Sequence, residues 1–219
     1  MNHPPRVITV ATLKGGSGKS TVASCLAVHW RQQGLRPALI DADPQQSLAR
    51  LAQRERALGG VPVHTTGESG EDIARTAARL AADHDPVIID TAGFRAPSTL
   101  AALAAAGLVL VPVKPSPLDV DVMVDTARAL LRTAQGSAPR FYCLLTQTTR
   151  DSVIVRHIRD ELRAAGFPLL DSELGNRVAY GEAALFGATP TLTAPRGAAA
   201  SEIAALAGEI ERLLKESPQ

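Results

Sequence analysis

Aromatic side chains are scarce in this chain, 3 % of 219 residues, so its core cannot rest on stacked rings and has to be assembled from Ala, Val, Leu and Ile. Cysteine is almost absent: Cys25 and Cys143 are the two present, which excludes a disulfide framework. Each falls in an apolar pattern, helical for Cys25 and strand-like for Cys143, and reads as a buried core thiol. No run reaches the ~18 apolar residues of a membrane span, and the opening Met-Asn-His-Pro-Pro-Arg lacks the apolar core of an export signal. A cytoplasmic protein is expected. Neither charge dominates, the formal net charge being +1. Contact with nucleic acid would therefore need a local basic patch, or a surface doubled by dimerisation. Repeats and low-complexity blocks are missing too, and the length suits one α/β domain spanning residues 1–219.

The most informative stretch is Lys14-Gly-Gly-Ser-Gly-Lys-Ser-Thr21. It follows the β-prone run Val7-Ile-Thr-Val-Ala11 and precedes Val22-Ala-Ser-Cys-Leu-Ala-Val28, which suits a helix. A glycine-rich strand-to-helix turn is where phosphates bind. Gly15, Gly16 and Gly18 let the backbone approach an anion and turn successive N–H groups inward, and the following helix presents the positive end of its dipole. Ser17 and Thr21 complete the cradle, Lys19 adds a charge for the β- and γ-phosphates, and Ser20 a hydroxyl for Mg²⁺. One position departs from the general phosphate loop, Leu13 standing where glycine is expected, with Lys14 beside it.

Downstream, strand and helix patterns alternate. Arg36 to Ile40 reads as a buried strand running into Asp41-Ala-Asp43. A short strand at Val61 to His64 and a helix over 70–82 precede Pro86-Val-Ile-Ile-Asp90, a third apolar strand ending in an acid. Acids at these strand ends lie on the ligand side of an open sheet, and Asp90 has the place of a carboxylate that holds Mg²⁺ through its water shell. Helix 97–106, strand 108–113, helix 120–134, strand 141–146, helix 153–165, a short strand 168–170 and helices 177–186 and 201–215 complete the pattern, with 189–195 read as a loop. The expected architecture is α/β, a mostly parallel central sheet with helices on both faces.

Two further stretches carry chemistry. Pro112-Val-Lys-Pro-Ser-Pro-Leu-Asp119 leaves a strand with three prolines in six positions, either a rigid spacer or a contact to nucleotide or partner subunit, with Pro115 a candidate. Thr146 and Gln147, at a late strand end, are candidates for adenine by position alone. On the helix that begins near Asp151, Arg156, Arg159 and Arg163 share one face, and Ile154, Ile158 and Leu162 another. The basic face is either solvated, with Asp160 paired to Arg156, or a phosphate-backbone contact joined by Arg150 and Arg177.

Together, Lys14-Gly-Gly-Ser-Gly-Lys-Ser-Thr21, Asp41-Ala-Asp43-Pro-Gln and Val87-Ile-Ile-Asp90-Thr-Ala-Gly resemble the three motifs of the ParA/MinD superfamily of deviant Walker A ATPases. Lys14 stands at the signature lysine. The proline stretch looks most like small ParA proteins of the ParF type, which lack an N-terminal helix-turn-helix domain, and here about five residues precede the first strand. The resemblance implies a P-loop ATPase that forms a homodimer around ATP and Mg²⁺, with Lys14 reaching the partner subunit's phosphates. Lys19 would serve its own subunit's phosphates, Ser20 and Asp90 the metal, and Asp43 the attacking water with support from Asp41. It further implies slow turnover stimulated by a ParB- or ParG-like protein or a cargo adaptor, and non-specific DNA binding by the ATP dimer, which would make the protein nucleoid-associated.

Four relatives compete. A MinD-like membrane ATPase would use the amphipathic last helix, on which Ile203, Leu206, Ile210, Leu213 and Leu214 line one face. Its polar side, however, carries four acids against two bases from Glu202 to Glu216, the wrong sign for anionic lipid. Packing on the sheet, without membrane contact, is expected. An iron-protein reductase would need cysteines placed for a cluster, which Cys25 and Cys143 are not, and a kinase relative would carry a tyrosine-rich tail. An ATP-dependent ligase of a small carboxylate leaves no contrary mark in the sequence.

Overall fold

Apolar residues on both sides of the central strands give a sheet that must be covered twice. The computed structural model describes residues 6–12, 16–66, 70–93, 97–116 and 140–215. Within them run β1 (Val7–Thr12), α1 (Lys19–Gln32), β2 (Ala38–Ala42), α2 (Ser47–Ala52), β3 (Val63–Thr65), α3 (Gly70–Ala81), β4 (Val87–Gly93), α4 (Pro97–Ala104) and β5 (Leu108–Val113). After the undescribed stretch come β6 (Arg140–Thr148), α5 (Val153–Ala164), β7 (Leu169–Gly175), α6 (Val178–Leu185), α7 (Pro190–Thr193) and α8 (Ala198–Lys215). The helix expected over 120–134 lies outside the described residues.

The seven strands form one sheet in the order β3-β2-β4-β1-β5-β6-β7, and every paired neighbour is parallel. β1 thus sits between β4 and β5, at the point where the strand order reverses, and its C-terminal end opens on the crevice where such sheets bind ligands. Side chains alternate between two cores with the strand period of two. Ile8, Val10, Leu39, Ile88, Leu108, Leu110 and Leu144 face α1 and α8, packing with Leu26, Trp30, Leu206 and Ile210. Ala11, Val109, Val111, Cys143 and Leu145 face α5, and Ile40, Val87 and Ile89 pack with Ile73, Ala77 and Leu80 of α3. Both cysteines are buried and outside any disulfide, as expected of core thiols.

Three expectations need correction. The segment over 189–195 is not wholly loop, since Thr189 leads into α7 with Pro190 in its first turn, where proline's missing N–H costs nothing. The buried stripe of α5 is Val155, Ile158 and Leu162, while Ile154 is exposed. The stripe therefore starts one residue later than the apolar pattern indicates. β7 is also longer than the three residues expected, because Asp171-Ser-Glu173 interrupts its apolar pattern. Each interruption has a partner: Arg159 Nη2 donates to Glu173 Oε2 at 2.6 Å, and the N–H groups of Asp171 and Ser172 donate to Glu209 at 2.8 Å each. The β6–β7 register slips at this point, so Glu209 satisfies backbone donors that a bulge has freed.

Glu209 belongs to α8, and its neighbour in role is Glu211, which accepts the Trp30 indole N–H at 2.8 Å. Two acids on the polar side of α8 are thus pins that dock the helix. Ile203, Leu206 and Ile210 fill the core beneath them, which places this helix on the sheet as expected. Among the described residues no helix is long and apolar enough to cross a membrane.

Candidate nucleotide site

Residues 13–15, including Lys14 and Gly15, lie outside the described residues; from Gly16 onward the loop is defined. Gly16 and Gly18 have φ of +79° and +92°. A Cβ at either would meet no atom within 4 Å, so the torsion itself, and not crowding, calls for glycine. Gly18 caps α1, and neither a side-chain cap nor a first-turn acid occupies that helix end. The first N–H groups of α1 point out of this end, the kind of helix terminus at which anions bind. Ser17 and Lys19 are buried within the loop, whereas Thr21 is exposed.

The loop is held from the far side of β1. Thr146 Oγ1 donates to the Ser17 carbonyl and Gln147 Nε2 to the Gly16 carbonyl, both at 2.8 Å. Position alone suggests both for adenine; both side chains line the cleft described below, but the groups named here brace the loop. Pro115 is half-buried just past the end of β5, and the proline stretch beyond residue 116 lies outside the described residues.

On the other side, the strand register brings two acids together: Asp41 of β2 is paired with Asp90 of β4, and Asp90 with Val10 of β1 just before the β1–β4 register slips. Asp41 accepts the N–H groups of Asp43 (3.3 Å) and Ala49 (3.0 Å), fixing the turn between β2 and α2. Burial raises its pKa against those hydrogen bonds. Asp43 is half-buried and accepts the Gln45 N–H at 2.9 Å. Asp90 is fully buried; among the described residues neither carboxylate oxygen has a donor at close hydrogen-bonding distance, although the Ser20 hydroxyl is directed at it. Burial pushes its pKa up to about 7, opposed by nearby Ser20 and Lys19 and reinforced by the charges of Asp41 and Asp43. A buried carboxylate with so few donors is costly, and this one fits a hydrated cation beside the glycine loop. Among the described residues no three His, Cys, Asp or Glu side chains gather as a metal cage.

Beyond the start of α1 opens a solvent-open cleft of about 180 Å³ lined by Gly18, Thr21, Val22, Thr146, Gln147, Leu174, Gly175, Asn176, Arg177 and Tyr180. Leu174, Gly175, Asn176 and Tyr180 escape the sequence reading, because a β7 that stops at residue 170 hides the strand end that carries them. Arg177, expected with the basic surface, lines this cleft and is ion-paired to Glu202. Arg159 is likewise drawn inward to Glu173. Arg150, Arg156 and Arg163 are exposed; Arg150 lies 3.7 Å from Asp151, and Arg156 donates to the Asp151 carbonyl at 3.3 Å.

A glycine loop at the switch point of a parallel sheet, flanked by two strand-end acids, defines a P-loop type of nucleotide-binding domain. Residues 8–190 match the CbiA family, the CobQ/CobB/MinD/ParA nucleotide binding domain, and the chain belongs to that family. It is 28 % identical over 218 residues to the maintenance of carboxysome distribution protein A of Halothiobacillus neapolitanus, covering 95 % of this chain and 94 % of that protein. With the chromosome-partitioning ATPase Soj of Thermus thermophilus it shares 29 % over 244 aligned positions, covering 97 % and 98 %. In fold it is similar to the septum site-determining protein MinD of Pyrococcus horikoshii, solved with Mg-ADP, at a TM-score of 0.77, 17 % identity, and 97 % and 98 % coverage.

Proposed function

We propose that this chain is an ATPase of the ParA/MinD type, a single domain that converts nucleotide state into assembly state and so positions a cargo. The observation that carries the reading is the placement of Asp41 and Asp90, in register on adjacent strands, beside a glycine loop whose Lys19 and Ser17 are buried.

The loop N–H groups and Lys19 bind the β- and γ-phosphates and orient them toward the acids. Ser20 and Asp90 would hold Mg²⁺, which when bound neutralises charge developing between those phosphates. Asp43 positions a water for in-line attack, and Asp41 holds the Asp43 turn in place through its backbone hydrogen bonds. Lys14 adds its charge to the phosphates of a second subunit, so the site is complete only in a homodimer that encloses two ATP. Loss of the γ-phosphate removes that attraction and releases the dimer.

Dimerisation doubles any surface charge. Arg150, Arg156 and Arg163 form the basic patch available for non-specific DNA, which would place the protein on the nucleoid. A ParB- or ParG-like protein or a cargo adaptor would stimulate the slow turnover. The relatives named above carry different cargo names on one fold, so the cargo is chosen by the partner.

Sedimentation of wild type, Lys14→Ala and Asp43→Ala with Mg²⁺ and ATP tests the proposal. The expected result is a trapped dimer for Asp43→Ala and no stable dimer for Lys14→Ala. A Lys14→Ala protein that dimerises and hydrolyses like wild type would remove the shared-site mechanism. For DNA, alanine at Arg150, Arg156 and Arg163 should flatten the salt dependence by roughly one unit of slope for each phosphate no longer neutralised; an unchanged slope would place the DNA surface elsewhere.

A further inference from the structure

Glu202 lies on α8, 22 to 27 residues away in sequence from the groups it binds, and does not itself line the cleft. Its Oε1 accepts Arg177 Nε at 2.8 Å and Arg177 Nη2 at 2.5 Å. Its Oε2 accepts the Gly175 N–H at 3.1 Å and the Tyr180 hydroxyl at 3.3 Å. Every one of these donors belongs to a residue that lines the cleft beside the phosphate loop. One carboxylate therefore ties the end of β7, the cap of α6 and the first turn of α6 into a single wall, from behind.

The fit is close. A Cβ on Gly175 would stand 3.2 Å from Arg177 Nε and 3.3 Å from Glu202 Oε1, so glycine is what lets the ion pair lie against the strand end. Between the two held residues, Asn176 is fixed by its own N–H donating to the Thr148 carbonyl at 2.8 Å. Burial raises the Tyr180 pKa, with Glu202 adding to the effect, so its hydroxyl stays protonated and donates. Four donors on one carboxylate are more than docking α8 requires, since Glu209 and Glu211 already pin that helix elsewhere.

We propose that Glu202 is a positioning residue for the nucleoside end of the nucleotide site, acting on a ligand it does not touch by holding Gly175, Arg177 and Tyr180 as one wall. This rests on the reading of the adjoining loop as the phosphate end of that site. The wall then governs how tightly the base and sugar are held, while the loop alone governs the polyphosphate.

Calorimetric titration of the full chain with Mg²⁺ and either ATP or inorganic tripolyphosphate separates the two ends. Glu202→Ala should weaken ATP binding about tenfold, the worth of charged hydrogen bonds removed from the wall, and leave tripolyphosphate binding within about twofold. Glu202→Gln keeps the shape and an acceptor for Gly175 but loses the negative charge that faces Arg177, and should fall between, at about threefold for ATP. If Glu202→Ala fails to fold, the Gln variant decides by the same ATP-selective loss. Unchanged ATP affinity in both variants, or equal losses for ATP and tripolyphosphate, would overturn the proposal while the nucleotide reading stands. A wild-type chain that binds neither ligand would overturn both.

Discussion

At the phosphate end of the site, Gly16, Ser17, Gly18, Lys19 and Ser20 are consecutive in sequence, and the two acids beside them each close an apolar strand. At the cleft end, Val22, Thr146 and the group Leu174, Asn176 and Tyr180 come from three separate stretches of the chain, held from behind by Glu202 on a fourth. The contrast follows from the ligand groups. A phosphate is held by backbone N–H groups and one cation, which demands a particular local torsion and hence a contiguous motif. A base and sugar are held by a wall of mixed surface, which any segments can supply once something fixes their relative places.

Breaking the phosphate end should cost most. Lys19→Ala removes a buried cation from the loop, and Mg-ATP affinity should fall at least about a hundredfold; a loss equal to that of Glu202→Ala would erase the distinction between the two ends. Asp43→Ala should leave ATP affinity within about threefold yet lower single-turnover hydrolysis by about 10²–10³, separating binding from chemistry within the same end.

Smaller effects sharpen the comparison at the level of stability. Gly18→Ala meets no atom but forces alanine to φ near +92°, so a loss of about 1–2 kcal/mol is expected on thermal unfolding, together with weaker phosphate binding. Glu209→Ala frees the Asp171 and Ser172 donors and should cost about 1–3 kcal/mol, while tripolyphosphate affinity holds. Its pH dependence has a fixed sign. Burial alone would raise the Glu209 pKa, but the hydrogen bonds from Ser172 and Asp171 outweigh it and hold the carboxyl below its usual 4.5. The stability gap between wild type and Glu209→Ala should therefore be full above that pH and close as acid takes the carboxylate through its lower folded value. A gap that widens in acid would contradict the assignment.

The same contrast explains how much is legible in the sequence. Val7–Thr12, residues 87–91 and Leu108–Val113 are buried on both faces and announce themselves as apolar runs, so the parallel sheet and the acids at the C-terminal side of its strands can be placed from the sequence. β7 cannot be placed in full, because Asp171, Ser172 and Glu173 look like a turn until Glu209 and Arg159 are brought to them from α8 and α5. Without the end of β7 the cleft stays hidden. Charges mislead for the same reason: Arg159 and Arg177 are surface-like by spacing, yet each is turned to a carboxylate 14 or 25 residues away. Spacing along a helix reports which residues share a face but not what faces them.

The most direct test of a site shared between two subunits is the mass of Asp43→Ala in solution with Mg²⁺ and ATP against Mg²⁺ and ADP. Twice the 22.9 kDa chain mass is predicted with ATP, and the single chain with ADP. One mass in both nucleotides, at concentrations where each is bound, would contradict it.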